Sequence, residues 1–198
     1  MPVLLIAGSP SEQSRSAALL DAVSQRLGRR GVLVERLLIR DLSPQALLLA
    51  DAAHRSVSKA VDQVARARAV VVATPVYKAA YSGVLKVFLD LLPQSALKGK
   101  TVLPMATGGS PHHMLALDYA LRPVLQSLAA HHILPGIYAT DAQVTLTPEG
   151  AYHVHDELGL RLDDGVATLA NIALRDHARS SATAGFEPVA FSRVRCSV

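Results

Sequence analysis

Five short segments, each with the length of a β-strand, alternate along this chain with segments whose apolar residues recur at helical spacing. The five are residues 3–7, 32–39, 70–73, 101–106 and 133–138. Most are continuously apolar, which is typical of strands that are buried on both faces of a parallel sheet. Alternating strands and helices form right-handed βαβ units, which place helices on both faces. The pattern therefore predicts a three-layer α/β/α sandwich around a five-stranded parallel sheet.

The helices are predicted from the spacing of apolar residues and from the glycines that follow them. Ala17, Leu20 and Val23 share one face of the first helix, which is expected to end before Gly28 and Gly31. Further helices are expected over residues 56–68, 82–92, 111–130 and 156–178, with residues 41–53 as a connection. The 198 residues suffice for one well-buried domain, expected over residues 1–178. Residues 179–198 lack clear periodicity and are expected to form a C-terminal tail.

Periodicity alone leaves the order of the strands open. Five parallel strands with a ligand loop after the first match the flavodoxin-like order 2-1-3-4-5. In such sheets, ligands bind outside the carboxyl ends of the strands, near the point where the strand order reverses. The loops after the first, third and fourth strands are therefore expected to form one site.

The first of these loops has the composition of an anion site. Hydroxyls at Ser9, Ser14 and Ser16 and the cation of Arg15 precede a helix, and the N-terminus of a helix favours a phosphate. The alternative is that Ser14 only caps the helix. The loop has neither the Gly-Lys-Ser/Thr ending of a Walker loop nor the Gly-x-Gly-x-x-Gly pattern. A mononucleotide is therefore the favoured ligand.

The other two loops suit a flat heterocycle. Pro75 follows the third strand directly and fixes the direction of the backbone, and Tyr77 and Tyr81 supply planar groups. The third loop contains Gly108 and Gly109, which allow the backbone to approach a ring edge closely or to adopt positive φ. Glycine pairs also occur in plain turns, so this feature is weak alone.

Together these residues resemble the NADPH-dependent FMN reductase family. The resemblance lies in Gly8-Ser9-Pro10 with Ser14-Arg15-Ser16, in Thr74-Pro75-Val76-Tyr77 with Ser82-Gly83, and in Thr107-Gly108-Gly109. More specifically, residues 76–83 and 118–125 are similar to the reductase component of two-component alkanesulfonate monooxygenase systems. The resemblance extends over roughly residues 3 to 140.

The resemblance implies FMN as cofactor and assigns residues to its parts. The phosphate contacts would be Ser9, Ser14, Arg15 and Ser16. Beside the ribityl chain and the ring would lie Pro75, Val76, Tyr77 and Lys78. The isoalloxazine would be bordered by Thr107, Gly108 and Gly109, and further candidate contacts are Ser82 and His112. Many family members have asparagine at the position of Lys78.

Tyr119 and Pro123 point to an irregular helix. Pro123 lacks an N–H, which would leave the Tyr119 carbonyl without its usual partner, and a π-bulge would relieve this. The alkanesulfonate-system reductases are similar in having a tyrosine in a π-helix at a subunit interface near the flavin. The alternative is an ordinary proline kink with Tyr119 in the core. Tyr119 is thus a candidate for controlling flavin stacking.

The resemblance implies a homotetrameric reductase that uses NADPH, or NADH, to reduce FMN and passes the reduced flavin to an alkanesulfonate monooxygenase. Hydride transfer needs no acid–base residue from the protein, only stacking of the two rings and exclusion of water. Two alternatives remain open. One is a quinone or azo-dye reductase on the same fold. The other is a flavodoxin-like electron carrier, although such carriers are typically acidic, whereas this chain has a net charge of +4 and no Trp.

Composition argues against several other classes of protein. The arginines are scattered, without a basic block or interleaved aromatic residues, so no nucleic-acid surface is predicted. The histidines at 112–113, 131–132 and 153–155 have no carboxylate at ligand spacing, so no metal site is predicted. The single cysteine, Cys196, excludes an intramolecular disulfide. No apolar segment approaches the roughly twenty residues of a membrane helix. A cytoplasmic protein without membrane contact is expected.

Overall fold

The computed structural model describes residues 1–147 and 151–180, in which helices cover both faces of a largely parallel sheet. The first half contains, in order, β1 (Val3–Ala7), α1 (Arg15–Arg29), β2 (Val34–Leu38), a 3-10 turn (Ile39–Asp41), α2 (Pro44–Leu48), α3 (Arg55–Arg66), β3 (Ala69–Tyr77), β4 (Ala80–Tyr81) and α4 (Gly83–Asp90). The second half contains β5 (Thr101–Gly108), a 3-10 helix (Pro111–Leu115), a π-helix (Ala116–Leu121), α5 (Arg122–Ser127), β6 (His132–Ile133), β7 (Ile137–Thr140), β8 (Val144–Leu146), β9 (Tyr152–Val154) and α6 (Asp156–Ser180).

The order of the strands confirms the flavodoxin-like prediction. The main sheet runs β2-β1-β3-β5-β6, and β7 also pairs with β5, so the five predicted strands lie in the order 2-1-3-4-5. These pairs are all parallel. The sheet has seven strands rather than the expected five. The two additional strands arise because the fifth predicted strand is divided and because β4 folds back antiparallel on β3.

The fifth predicted strand is interrupted at residues 134–136, so β6 and β7 pair with different ends of β5. Pro135 has no N–H to contribute to a ladder. At Gly136 a β-carbon would lie only 2.9 Å from Cδ1 of Leu117. Because Gly136 has no side chain, the backbone can pass close to Leu117 of the π-helix at this interruption.

β3 extends through residues that were predicted to form a loop. Pro75 pairs with Thr107 of β5, and Val76 pairs with Tyr81 of β4. The hairpin turns at Lys78 and Ala79, whose φ angles are 50° and 63°. Two positive φ angles are typical of a type I′ turn, which usually contains Asn and Gly. Because this turn has neither, the sequence pattern did not reveal the hairpin.

Three other segments differ from the prediction. Residues 41–53, expected as a connection, contain α2, which the Ser43 hydroxyl caps by accepting from the N–H of Ala46. Residues 111–130, expected as one helix, form a 3-10 helix, a π-helix and α5 in succession. β8 and β9 form an unpredicted antiparallel hairpin that packs beside α1.

Apolar cores fill both faces of the sheet. Leu4 and Ile6 of β1 point into the core shared with α2, α3, α4 and α5, whereas Val3 and Leu5 point into the core shared with α1 and α6. This alternation explains why the central strands are apolar at every position. The predicted tail lies outside the described residues from residue 181 onward. No helix in the described part of the chain is both long and apolar enough to cross a membrane.

A mutation of Phe88 tests whether this residue belongs to the apolar core between α4 and the sheet. Phe88 has no exposed surface, so Phe88→Ala is expected to lower the free energy of unfolding by about 3–5 kcal/mol through lost burial and a residual cavity. Leu48→Ala is the control, because Leu48 is 76% exposed and its loss should cost no more than about 0.5 kcal/mol. Denaturant unfolding followed by circular dichroism measures both. Equal costs would contradict the assignment.

Candidate functional site

A cleft of ≈ 330 Å³ opens at the carboxyl edge of the sheet, between the loop after β1 and the ends of β3 and β5. Its volume lies in the range of small-molecule sites. Many of the predicted site residues line it: Ser14, Arg15, Pro75, Val76, Tyr77, Thr107, Gly108 and Gly109. The lining is completed by Ser11, Gln13, Asp141 and Leu146. The three predicted loops therefore converge on one cleft.

The close packing of the first loop against its neighbours fixes one wall. The N–H of Gly8 donates to the Ala73 carbonyl oxygen at 2.8 Å, which extends the pairing of β1 with β3 by one residue. A β-carbon at Gly8 would lie 3.1 Å from that carbonyl oxygen and 3.1 Å from Cβ of Leu85. The absence of a side chain at Gly8 thus lets the loop sit tightly between β3 and α4.

The serines of the first loop have different roles. The Ser14 hydroxyl accepts from the Ala17 N–H at 3.1 Å, so Ser14 caps α1 and also lines the cleft. Ser16 is buried, with its hydroxyl 3.2 Å from that of Ser14. Ser9 is buried too, and its hydroxyl accepts from the Ser11 N–H at 3.1 Å. The side chains of Ser9 and Ser16 therefore shape the loop without lining the cleft.

Arg15 lies in the first turn of α1 and is held by the segment that follows β7. Its Nε donates to the Val144 carbonyl oxygen at 3.0 Å, and its guanidinium lies 3.5 Å from Oδ2 of Asp141. The first N–H groups of a helix have no intrahelical partner and carry positive partial charge. One end of the cleft therefore combines a guanidinium with a helix N-terminus, an arrangement that attracts an anion.

The third loop has glycine where Tyr138 approaches most closely. A β-carbon at Gly108 would lie 2.6 Å from the Tyr138 hydroxyl oxygen, and that hydroxyl donates to the Ser110 carbonyl oxygen at 2.6 Å. Positive-φ glycines in the described residues are Gly31 and Gly99, so the close approach, rather than the φ angle, favours glycine here. Burial raises the pKa of the Tyr138 phenol, and the Asp141 carboxylate raises it further.

Besides Ser9 and Ser16, three further predicted contacts lie away from the lining of the cleft. Ser82 is buried beneath the first loop, where its hydroxyl donates to the Gly8 carbonyl and accepts from the Leu85 N–H. Ser82 thereby caps α4 and fastens it to the loop. Lys78 is exposed at the turn between β3 and β4, and His112 is exposed in the 3-10 helix. In the described residues no group of three His, Cys, Asp or Glu side chains is placed to hold a metal ion.

The irregular helix around Tyr119 confirms the π-bulge inferred from Pro123. The N–H of Arg122 donates to the Leu117 carbonyl, five residues back, as in a π-helix. Tyr119 is 79% exposed, so it is not a core residue. The π-helix packs against the β4 arm of the hairpin that ends at the cleft.

Sequence reasoning missed several residues of the cleft. Asp141 directly follows β7, another strand that ends at the same edge. The strand-end rule that located the other loops would have found Asp141 had it been applied to the fifth strand. Leu146 lies in the β8–β9 hairpin, which carried no sequence signal. Ser11 and Gln13 lie in the first loop but were not singled out.

Comparison with known proteins identifies the family. Residues 1–145 match the family described as NADPH-dependent FMN reductase. The chain belongs to the NADPH-dependent FMN reductase family. It is thus an oxidoreductase that reduces FMN with a nicotinamide nucleotide. Most of the residues that resemble this family in sequence lie in the three converging loops.

Relatives match over most of their length. The chain is 51% identical over 144 residues to the FMN reductase (NADPH) of Pseudomonas putida (strain KT2440), covering 73% of each protein. It is 48% identical over 144 residues to the FMN reductase (NADPH) of Escherichia coli (strain K12), covering 73% of this chain and 75% of that protein. The apo crystal structure of an NADH:FMN oxidoreductase (EMOB) superposes with a TM-score of 0.76 at 39% identity, covering 88% and 89% of the two chains.

Gly108 and Tyr138 test the packing of the third loop. Gly108→Ala is expected to lower the free energy of unfolding by about 1–3 kcal/mol, because the new methyl group meets the Tyr138 hydroxyl. Gly109→Ala is the control, since its nearest neighbour would be 3.7 Å away. Tyr138→Phe removes the clashing oxygen, so Gly108→Ala should cost less in that background. A double-mutant cycle by thermal unfolding measures this, and additive costs would contradict the packing.

Proposed function

We propose that the cleft binds FMN with its phosphate at the N-terminus of α1 and its ring between the ends of β3 and β5. The observation that carries this proposal is the position of Arg15 at one end of the cleft, beside a capped helix N-terminus. The ends of β3 and β5 contribute uncharged residues to the lining, namely Pro75, Val76, Tyr77, Thr107, Gly108 and Gly109. A flat ring with a charged tail matches this division into an anion site and an uncharged region.

Each group of residues has a proposed role. Arg15, Ser14 and the N–H groups of the first turn of α1 hold the phosphate. Pro75, Val76 and Tyr77 lie along one side of the ribityl chain and ring. Thr107, Gly108 and Gly109 border the other side. When bound, FMN supplies the redox chemistry by accepting hydride from the nicotinamide. The chain contributes orientation of the two rings and exclusion of water.

Arg15→Gln tests the phosphate end of the cleft. It removes the charge-assisted contacts to the phosphate, so the affinity for FMN is expected to fall about tenfold or more. Riboflavin lacks the phosphate, so its affinity should change little. Flavin fluorescence quenching measures both affinities.

The matched control is Arg26→Gln. Arg26 lies on the same helix but pairs with Asp163 at 2.8 Å and does not line the cleft, so its loss should leave FMN binding unchanged. Unchanged FMN affinity in Arg15→Gln, or an equal loss for riboflavin, would contradict the proposed orientation.

The proposed electron donor is NADPH, and the proposed recipient of reduced FMN is a flavin-dependent alkanesulfonate monooxygenase. The donor is supported by the names of the relatives that are 48% and 51% identical. The recipient is supported by the resemblance of residues 76–83 and 118–125 to reductases of such systems. Free release of the reduced flavin is consistent with a cleft that is open to solvent at its mouth.

The π-helix supports a proposal about assembly. Tyr119, Met114 and Leu115 are exposed at 79%, 56% and 54%, and all three lie in or next to this segment. Such side chains favour contact with another subunit. We propose a cytoplasmic homotetramer in which the π-helix lies at a subunit contact and Tyr119 controls ring stacking from there.

A coupled assay tests the donor and the recipient together. The chain is mixed with FMN, an alkanesulfonate and an alkanesulfonate monooxygenase, and sulfite release is measured. We expect sulfite release that depends on the chain, with a higher kcat/KM for NADPH than for NADH. Omission of the chain is the control. Flavin reduction without any sulfite release would contradict the proposed recipient, and a preference for NADH would contradict the proposed donor.

A further inference from the structure

The guanidinium of Arg15 and the carboxylate of Asp141 lie next to each other in the cleft. Among the described residues that line it, Arg15 carries the one positive charge and Asp141 the one negative charge. Their nearest charged atoms are 3.5 Å apart. We propose that Asp141 sets the affinity for FMN: its carboxylate competes with the phosphate for Arg15 and so keeps the flavin exchangeable. This inference rests on the proposed binding of FMN in the cleft.

The carboxylate is held in position by the turn that carries it. Arg15 contacts this turn through Asp141, and it contacts the start of β8 through the Val144 carbonyl oxygen at 3.0 Å. The turn itself is closed by the Gln143 side chain, whose Oε1 accepts from the Thr140 N–H at 3.0 Å. Asp141 also faces the third loop, since a β-carbon at Gly109 would lie 3.7 Å from its Oδ2. The carboxylate therefore lies between the phosphate end of the cleft and the third loop.

The charges make this position unfavourable for a tightly held phosphate. A phosphate monoester carries a charge of about −1.5 to −2 at pH 7. Asp141 offsets part of the charge of Arg15 and repels the phosphate directly. The side chains of Arg15 and Asp141 are 38% and 47% exposed, so the pair is weak enough to exchange partners when a phosphate arrives. A reductase that hands on its flavin needs such reversible binding, whereas a protein that retains its flavin does not.

Asp141→Asn tests the inference, because it removes the charge and keeps the shape. The affinity for FMN is expected to rise about three- to tenfold, the size expected for one partly exposed charge. The affinity for riboflavin, which has no phosphate, should change less than about twofold, by the same argument. The inhibition constant of inorganic phosphate against FMN binding should fall by a similar factor. Fluorescence quenching measures all three.

Matched variants separate charge from structure. Asp141→Ser is a second neutral variant and should also tighten FMN binding, whereas Asp141→Glu keeps the charge and should bind FMN nearly as weakly as the unaltered chain. Asp163→Asn removes the carboxylate of another ion pair, 2.8 Å from Arg26 and outside the cleft. It should leave FMN affinity unchanged.

The outcomes distinguish this inference from the proposed function. If Arg15→Gln weakens FMN binding but both neutral variants of Asp141 bind FMN no more tightly, the inference is overturned and the phosphate site stands. If riboflavin binding tightens as much as FMN binding, the carboxylate acts on the ring, and the inference is again overturned. If Arg15→Gln leaves FMN affinity unchanged, the proposed phosphate site fails, and the inference fails with it.

Discussion

The parallel pairing of β1, β3 and β5 brings the three predicted loops together at the cleft. Ala7 is opposite Ala73, and Pro75 is opposite Thr107. Because these strands run in the same direction with this register, the segments that follow them emerge side by side at one edge. A shift by one residue would turn each side chain to the other face of the sheet. The cores on both faces, which fit alternate residues of the same strands, hold the register in place.

A few groups placed on this frame shape the cleft. Gly8 and Gly108 allow the backbone to pass where a β-carbon would crowd its neighbours. Ser14 caps α1 and thereby fixes the N–H groups at the proposed phosphate end. Arg15 is oriented by the turn after β7. The reaction needs no acid or base from the chain, because its chemistry belongs to the nicotinamide and the flavin.

Much of this arrangement could be predicted from the sequence, because strand length, apolar composition and the strand-end rule are local or generic properties. The π-helix was also predictable, since Pro123 removes a specific hydrogen bond. Other features depend on contacts between distant parts of the chain. The hairpin at Lys78 and Ala79 adopts positive φ without glycine. Ser82 lies in a loop motif of the predicted site, but its hydroxyl donates to the Gly8 carbonyl and so holds the first loop. The importance of Asp141 depends on its contact with Arg15, which is distant in sequence.

We propose that three strand-end segments hold FMN with its phosphate at the start of α1. A crystal structure of the chain grown with FMN tests this most directly. We expect phosphate oxygens about 3 Å from the Arg15 guanidinium and from the first N–H groups of α1, with the ring between Pro75 and Gly108. A phosphate placed elsewhere, or a ring outside the ends of β3 and β5, would contradict the proposed binding of FMN.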